Sequence, residues 1–129
     1  MKISALDHIV LTVRDLDAAV RFYCSALGMK QKVFGEGRIA LSFGTQTINL
    51  HPLVNAFDPK ATLPTPGSAD LCFVTDLPLE DAMAHVQRAG VECLAGPVQR
   101  TGALGPIWSF YCRDPDGNLI EVASYCVAH

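Results

Sequence analysis

The most constraining feature of the 129-residue chain is an order of elements that occurs twice. Leu6 to Val13 alternates with the period of a strand, Ile9, Leu11 and Val13 on one side and His8, Val10 and Thr12 on the other. Arg14 to Gly28 reads as a helix, opened by acidic residues, striped by Val20, Tyr23 and Leu27, and stopped by Gly28. Strand-like pieces at Lys30–Gly35, Arg38–Phe43 and Thr47–Leu53, separated by Gly-containing turns, complete a βαβββ unit. After a Pro- and Gly-containing stretch from Val54 to Ser68 the pattern returns, with a strand at Ala69–Thr75 and a helix at Leu79–Ala89 that takes Pro78 into its first turn. Strands are predicted at Val91–Leu94, Ile107–Arg113 and Asn118–Ser124, the last two joined by the turn Asp114-Pro115-Asp116-Gly117. The order is again βαβββ. The expectation is one α+β domain over residues 1–129, duplicated internally as modules of about 5–53 and 69–125 with a linker of about 54–68.

Charge and composition narrow the partner classes. Ten basic against thirteen acidic residues leave a net charge of −3, with no run of Lys or Arg to attract nucleic acid or an anionic membrane. No apolar stretch approaches a membrane span, and Asp7 and His8 interrupt the amino terminus where a signal peptide requires an apolar run, so a cytoplasmic protein is expected. The five cysteines are odd in number and lack a Cys-x-x-Cys pair, and they read as reduced, mostly buried apolar residues.

The duplication pairs positions. Aligning the first strands sets His8 against Asp70, and aligning the last strands sets Asn49 against Glu121. His51 lies two residues beyond Asn49 on the same strand face. If the modules bring these faces together, imidazole nitrogen and carboxylate oxygen from His8, Asp70, Glu121 and His51 converge, a donor set suited to Zn, Ni, Co, Fe or Mn with positions left for substrate. Such an ion acts as a Lewis acid, and a carboxylate beside it moves protons. Each residue also has an ordinary structural role: a strand histidine bonded to backbone, a solvated glutamate, a turn-capping aspartate. Their equivalent placement in two modules raises the functional reading above these. Arg38, Arg100 and Trp108 are candidate substrate-binding residues, offering carboxylate forks and a stacking face, with Asn49 beside them, and the Gly-containing segment Thr101–Pro106 is a candidate lid.

The segments Leu6-Asp7-His8-Ile9-Val10-Leu11-Thr12-Val13-Arg14-Asp15-Leu16, Arg21-Phe22-Tyr23 through Leu27-Gly28-Met29, and Arg113-Asp114-Pro115-Asp116-Gly117-Asn118-Leu119-Ile120-Glu121 resemble the vicinal oxygen chelate superfamily. That superfamily holds glyoxalase I, bleomycin- and fosfomycin-resistance proteins, extradiol dioxygenases and methylmalonyl-CoA epimerase. Ile48-Asn49-Leu50-His51-Pro52, Pro64 through Phe73 and Gly96 through Ala103 are similar to its glyoxalase-domain-containing protein 5 branch. The resemblance implies paired βαβββ modules forming an open, U-shaped mixed sheet with flanking helices around a divalent metal, commonly in a homodimer. It sets His8 at the first-strand histidine ligand and Glu121 at the last-strand glutamate ligand. At the other two positions the chain departs, with Asn49 where glyoxalase I has a glutamate and Asp70 where it has a histidine. A neutral amide cannot take a proton, so Asp70 or Glu121 would serve as base. His51 would restore a ligand only if the strand end curves inward. Three functions stay open: a glyoxalase-type metal-dependent lyase acting through an enediolate, an extradiol-type Fe(II) dioxygenase built on His8, His51 and Glu121, and a non-enzymatic dimer that sequesters a small molecule.

Overall fold

A computed structural model describes residues 1–125, and these form two compact units, the first Met1–Gly67 and the second beginning at Ser68. The fold is α+β, with eight strands in two four-stranded mixed sheets and one helix accompanying each sheet. In the first unit the order is β1 (His8–Val13), α1 (Leu16–Arg21), β2 (Lys30–Phe34), β3 (Arg38–Phe43) and β4 (Gln46–Pro52). In the second it is β5 (Asp70–Val74), α2 (Leu79–Arg88), β6 (Ala95–Gly102), β7 (Gly105–Arg113) and β8 (Leu119–Ser124). The sheets run β1-β4-β3-β2 and β5-β8-β7-β6, so in each the first strand pairs in parallel with the last and the other pairs are antiparallel. A parallel neighbour requires a crossover, which the intervening helix supplies. Two βαβββ modules are thus present, as the alternation predicts.

Strand alternation fixes which face is core. Leu11 and Val13 of β1, Leu41 of β3, and Ile48 and Leu50 of β4 are buried. Phe110 and Cys112 of β7 and Ile120 and Val122 of β8 are buried in the second unit, where α2 packs on β7 and β8 through Leu79, Ala82 and Val86. The helix after β1 differs from the expected stripe. Asp15 caps α1, its Oδ1 accepting from the Ala18 amide at 3.1 Å, but beyond Arg21 the chain widens into a π-helical turn, Phe22–Ala26. That wider turn buries the consecutive rings of Phe22 and Tyr23, edge-on at 4.9 Å, so the buried set is Ala19, Phe22, Tyr23 and Ala26, with Val20 and Leu27 half-buried. In α2, Pro78 is the residue before the helix, with ψ 141°.

The sequence expectation fails between the second helix and β7. Val91–Leu94 is not a strand; the ladder starts where the Leu94 amide donates to Tyr111 O at 2.8 Å, and β6 runs on through Gly96 and Pro97 to Gly102. Proline is tolerated there because β6 is an edge strand, where a missing N–H costs no ladder bond. The candidate lid Thr101–Pro106 is corrected with it. Gly102 pairs with Gly105, so the segment is a tight hairpin, and the Leu104 amide donates to the Tyr125 hydroxyl at 3.1 Å. Among the four described cysteines, all free, Cys112 alone is buried, while Cys24 and Cys93 are half-buried and Cys72 is exposed; Cys126 lies outside the described residues. No described helix is long and apolar enough to cross a membrane.

Candidate functional site

In the first unit, the parallel register sets His8 beside Thr47, Val10 beside Asn49 and Thr12 beside His51, so these six residues share the face opposite the core. Antiparallel pairing adds Ser42 beside Thr47 and Ala40 beside Asn49 from β3, and Arg38, two residues before Ala40, lies on the same face. His8, Asn49, His51 and Arg38 therefore belong to one surface. The His8 ring is exposed and its Nδ1 donates to the Asp7 carboxylate at 2.8 Å, which leaves Nε2 with its lone pair free to accept or ligate. Asn49 Oδ1 accepts weakly from the Thr47 hydroxyl at 3.4 Å.

His51 is engaged elsewhere. Arg38 Nη2 lies 3.2 Å from His51 Nε2, and because a guanidinium only donates, that nitrogen is the acceptor. The Phe57 ring meets the imidazole edge-on at 5.4 Å, and the Arg38 guanidinium lies over Phe57 at 4.5 Å and over Phe34 at 5.1 Å. Burial first, and then the Arg38 charge, push the His51 imidazole below its ordinary pKa. A nitrogen that accepts from a cation is a poor place for a second cation, and in this arrangement His51 Nε2 is occupied by Arg38.

In the second unit, Cys72 pairs with Glu121 across β5 and β8, and Glu121 with Tyr111 across β8 and β7, so all three share one face with Asp70. The Ser109 hydroxyl donates to Glu121 Oε2 at 2.6 Å, a length typical of a charge-assisted bond, and the Cys72 thiol donates to the same carboxylate. Although the residue keeps exposed surface, partial desolvation of its sulfur against the sheet first, and then the charge of Glu121, push that thiol up to about 11, so it stays protonated and acts as a donor. Asp70 is exposed, one alternation away from Cys72 on the same strand. Arg100 Nε donates to the Tyr111 hydroxyl at 3.1 Å and lies over that ring at 5.7 Å. Trp108 pairs with Ser124 and Gln99 and is thereby on the opposite face from Glu121, with Phe110 and Cys112. Its position in the alternation excludes it from this surface.

Two contributors escaped the sequence reading. Ser109 braces Glu121, visible only once the β7–β8 register is known. The Asp114-Pro115-Asp116-Gly117 turn is more than a turn: Asp114 Oδ1 accepts from the amides of Asp116 and Asn118, both at 2.9 Å, and Oδ2 from Asn118 Nδ2 at 2.7 Å. Asn118 Oδ1 in turn accepts from the Ala69 amide at 2.8 Å, which ties this turn to the residue preceding Asp70. Among the described residues no three His, Cys, Asp or Glu side chains form a ready metal cluster.

Paired βαβββ modules, each with its first strand parallel to its last, are the plan of the vicinal oxygen chelate class. The chain belongs to the Glyoxalase/Bleomycin resistance protein/Dioxygenase superfamily, whose profile matches residues 5–122. It is 52% identical over 125 residues to virulence protein STM3117 of Salmonella typhimurium, covering 97% of this chain and 87% of the relative. Glyoxalase domain-containing protein RDO1 of Mycosarcoma maydis is also 52% identical, over 97% of this chain and 70% of that protein. An integron cassette protein from the mobile metagenome of V. cholerae is 62% identical, with a TM-score of 0.96 over 98% of both chains.

Proposed function

We propose that the chain is a metal-dependent lyase of the glyoxalase type, working on a small-molecule substrate as a cytoplasmic homodimer. The observation that carries the reading is the second layer around the two ligand candidates: Asp7 holds His8 Nδ1 and leaves Nε2 for a metal, and Ser109 holds one Glu121 oxygen and orients the other. Membership in a superfamily that generally uses divalent metals supports it. His8 and Glu121 would be the residues to hold a divalent ion, and when bound it would supply Lewis-acid stabilisation of negative charge developing on a substrate oxygen. The chain's own carboxylates divide the remaining tasks. Glu121 is committed to Ser109 and Cys72, whereas Asp70 is exposed on the same face, so Asp70 is the base that takes the carbon-bound proton and returns it to the adjacent carbon. No oxidant is needed for that exchange. Asn49, unable to accept a proton, is left to hydrogen-bond substrate, with Arg38 and Arg100 further along their faces.

The test is formation of lactoylglutathione from methylglyoxal and glutathione with Ni, Co or Zn supplied in turn. The expected result is metal-dependent turnover that Asp70→Asn lowers by about 100-fold or more while metal content stays constant. Absence of turnover with every metal, together with no metal in tag-free protein by elemental analysis, sinks the reading. That result favours the ligand-sequestering function, which Asn49 supports because a protein without metal chemistry tolerates an amide there. The dioxygenase reading has less support, since it needs a second imidazole and His51 Nε2 accepts from Arg38.

A further inference from the structure

We propose that Arg38 anchors the carboxylate of an organic acid ligand and that His51 is its positioning residue. The argument begins with an unbalanced charge. Arg38 is half-buried, its hydrogen-bond partner is a neutral imidazole, and among the described residues it has no carboxylate within ion-pair distance. Its Nε is buried and has no hydrogen-bond partner. A guanidinium has five N–H groups in a planar fork; one goes to His51 and another is orphaned. Burying a charge without a counter-charge costs free energy, and an orphaned donor adds to that cost, so such a group persists where something else supplies the missing acceptor. A planar carboxylate supplies both the charge and two acceptors matched to the fork.

The surroundings specify the rest of the ligand. The rings of Phe34 and Phe57 lie against the guanidinium and offer apolar surface beside the anion site, which fits an acid with an aromatic or aliphatic body. His51 is fully enough buried, at 4% exposure, to fix the guanidinium in one orientation, and its Nε2 lone pair points the fork without neutralising it. A glutamate in its place would have satisfied Arg38 and closed the site. Arg38, at the start of β3, shares the sheet face of His8 and stands level with His51, which is four residues along β4 from Thr47, the neighbour of His8, or roughly 13 Å in the strand direction. An acid anchored at Arg38 therefore has its carboxylate held well away from His8. This inference uses the open face of the first unit as ligand-binding surface but does not require lyase chemistry.

The test uses benzoate, benzamide and phenyl phosphate as probes of equal apolar body and different head group, on the purified full chain before and after chelation. Benzoate is expected to move the Arg38 Nε–H resonance of nitrogen-labelled protein, and benzamide is not. Arg38→Lys, which keeps charge but loses the fork, should weaken benzoate by about tenfold. His51→Gln, which keeps an acceptor, should bind benzoate nearly as the parent does, whereas His51→Leu should lose about tenfold with circular dichroism unchanged. Equal binding of benzamide, an unmoved Nε–H signal at saturating benzoate, or tighter binding of phenyl phosphate than of benzoate overturns the proposal. Loss of benzoate binding on chelation also overturns it, by assigning the acid to a metal. Retention after chelation with no lyase activity separates the fate of this proposal from that of the lyase.

Discussion

The two units share a backbone plan and differ in the chemistry they put on it. Both run βαβββ, both pair the first strand in parallel with the last, and both keep a buried apolar face on the helix side. On the opposite face, the first unit carries imidazole, amide and guanidinium groups at His8, Asn49, His51 and Arg38, and among these strands no carboxylate. The second carries Asp70 and Glu121, with Ser109, Cys72 and Tyr111 around them. Positions on the core face are held by packing to similar apolar types, whereas positions on the open face are free to diverge, so a duplicated module yields complementary halves.

Core substitutions probe the shared plan and should have the largest effects. Phe110→Ala in the second unit should cost about 3–5 kcal/mol and Ile48→Ala in the first about 2–5 kcal/mol in denaturant melts, since both side chains are fully buried. A cost below about 1 kcal/mol at either would break the equivalence of the two cores. Next come the diverged faces. His8→Ala and Glu121→Gln should each lower metal affinity by about 100-fold or more while leaving the melting transition in place. Unchanged metal content in both variants would remove this pair as ligands. Their braces should matter less and similarly: Asp7→Asn and Ser109→Ala are expected to lower metal affinity roughly tenfold each. The helix starts come next. Asp15→Ala, which removes the cap of α1, should cost about 1 kcal/mol, whereas α2 has no side-chain cap to lose and Pro78→Ala should cost less than half of that.

The smallest effect is a pH dependence confined to the first unit. The folded His51 pKa lies below its unfolded value of 6.5, so the unfolded chain takes up its proton first as pH falls. Stability from this residue is therefore complete above pH 6.5 and declines as pH drops from there toward the folded pKa. His51→Leu should flatten that part of the stability profile, and an unchanged slope would assign it to another group.

How much of this was legible beforehand follows from the range of each interaction. Alternation is local, so β1, β3, β4, β5 and β8 and the facing of His8, Asp70 and Glu121 follow from residues two apart. Sheet position is not local, and the β6 error arose there: nothing near Gly96 and Pro97 says that the strand lies at an edge, where proline is permitted. The same limit hides the Ser109–Glu121 bond, which joins residues of different strands, and the Arg38–His51 bond, whose partners stand on neighbouring strands. The facing of Trp108 is local: it alternates with Ser109 and so lies on the sheet face opposite Glu121. The helix stripe shifted because the π-helical turn breaks the 3.6-residue period after Arg21.

The bond from the Ala69 amide to Asn118 Oδ1 has a consequence for fidelity of folding. β5 is a short, mostly exposed edge strand, and sliding it by one residue along β8 would turn Asp70 and Cys72 away from Glu121 while putting Leu71 and Phe73 in their place. Apolar alternation in five residues is a weak guard against that slip. A buried asparagine, fixed by Asp114 and bonded to the one amide just ahead of β5, serves as an index mark that only the native register satisfies.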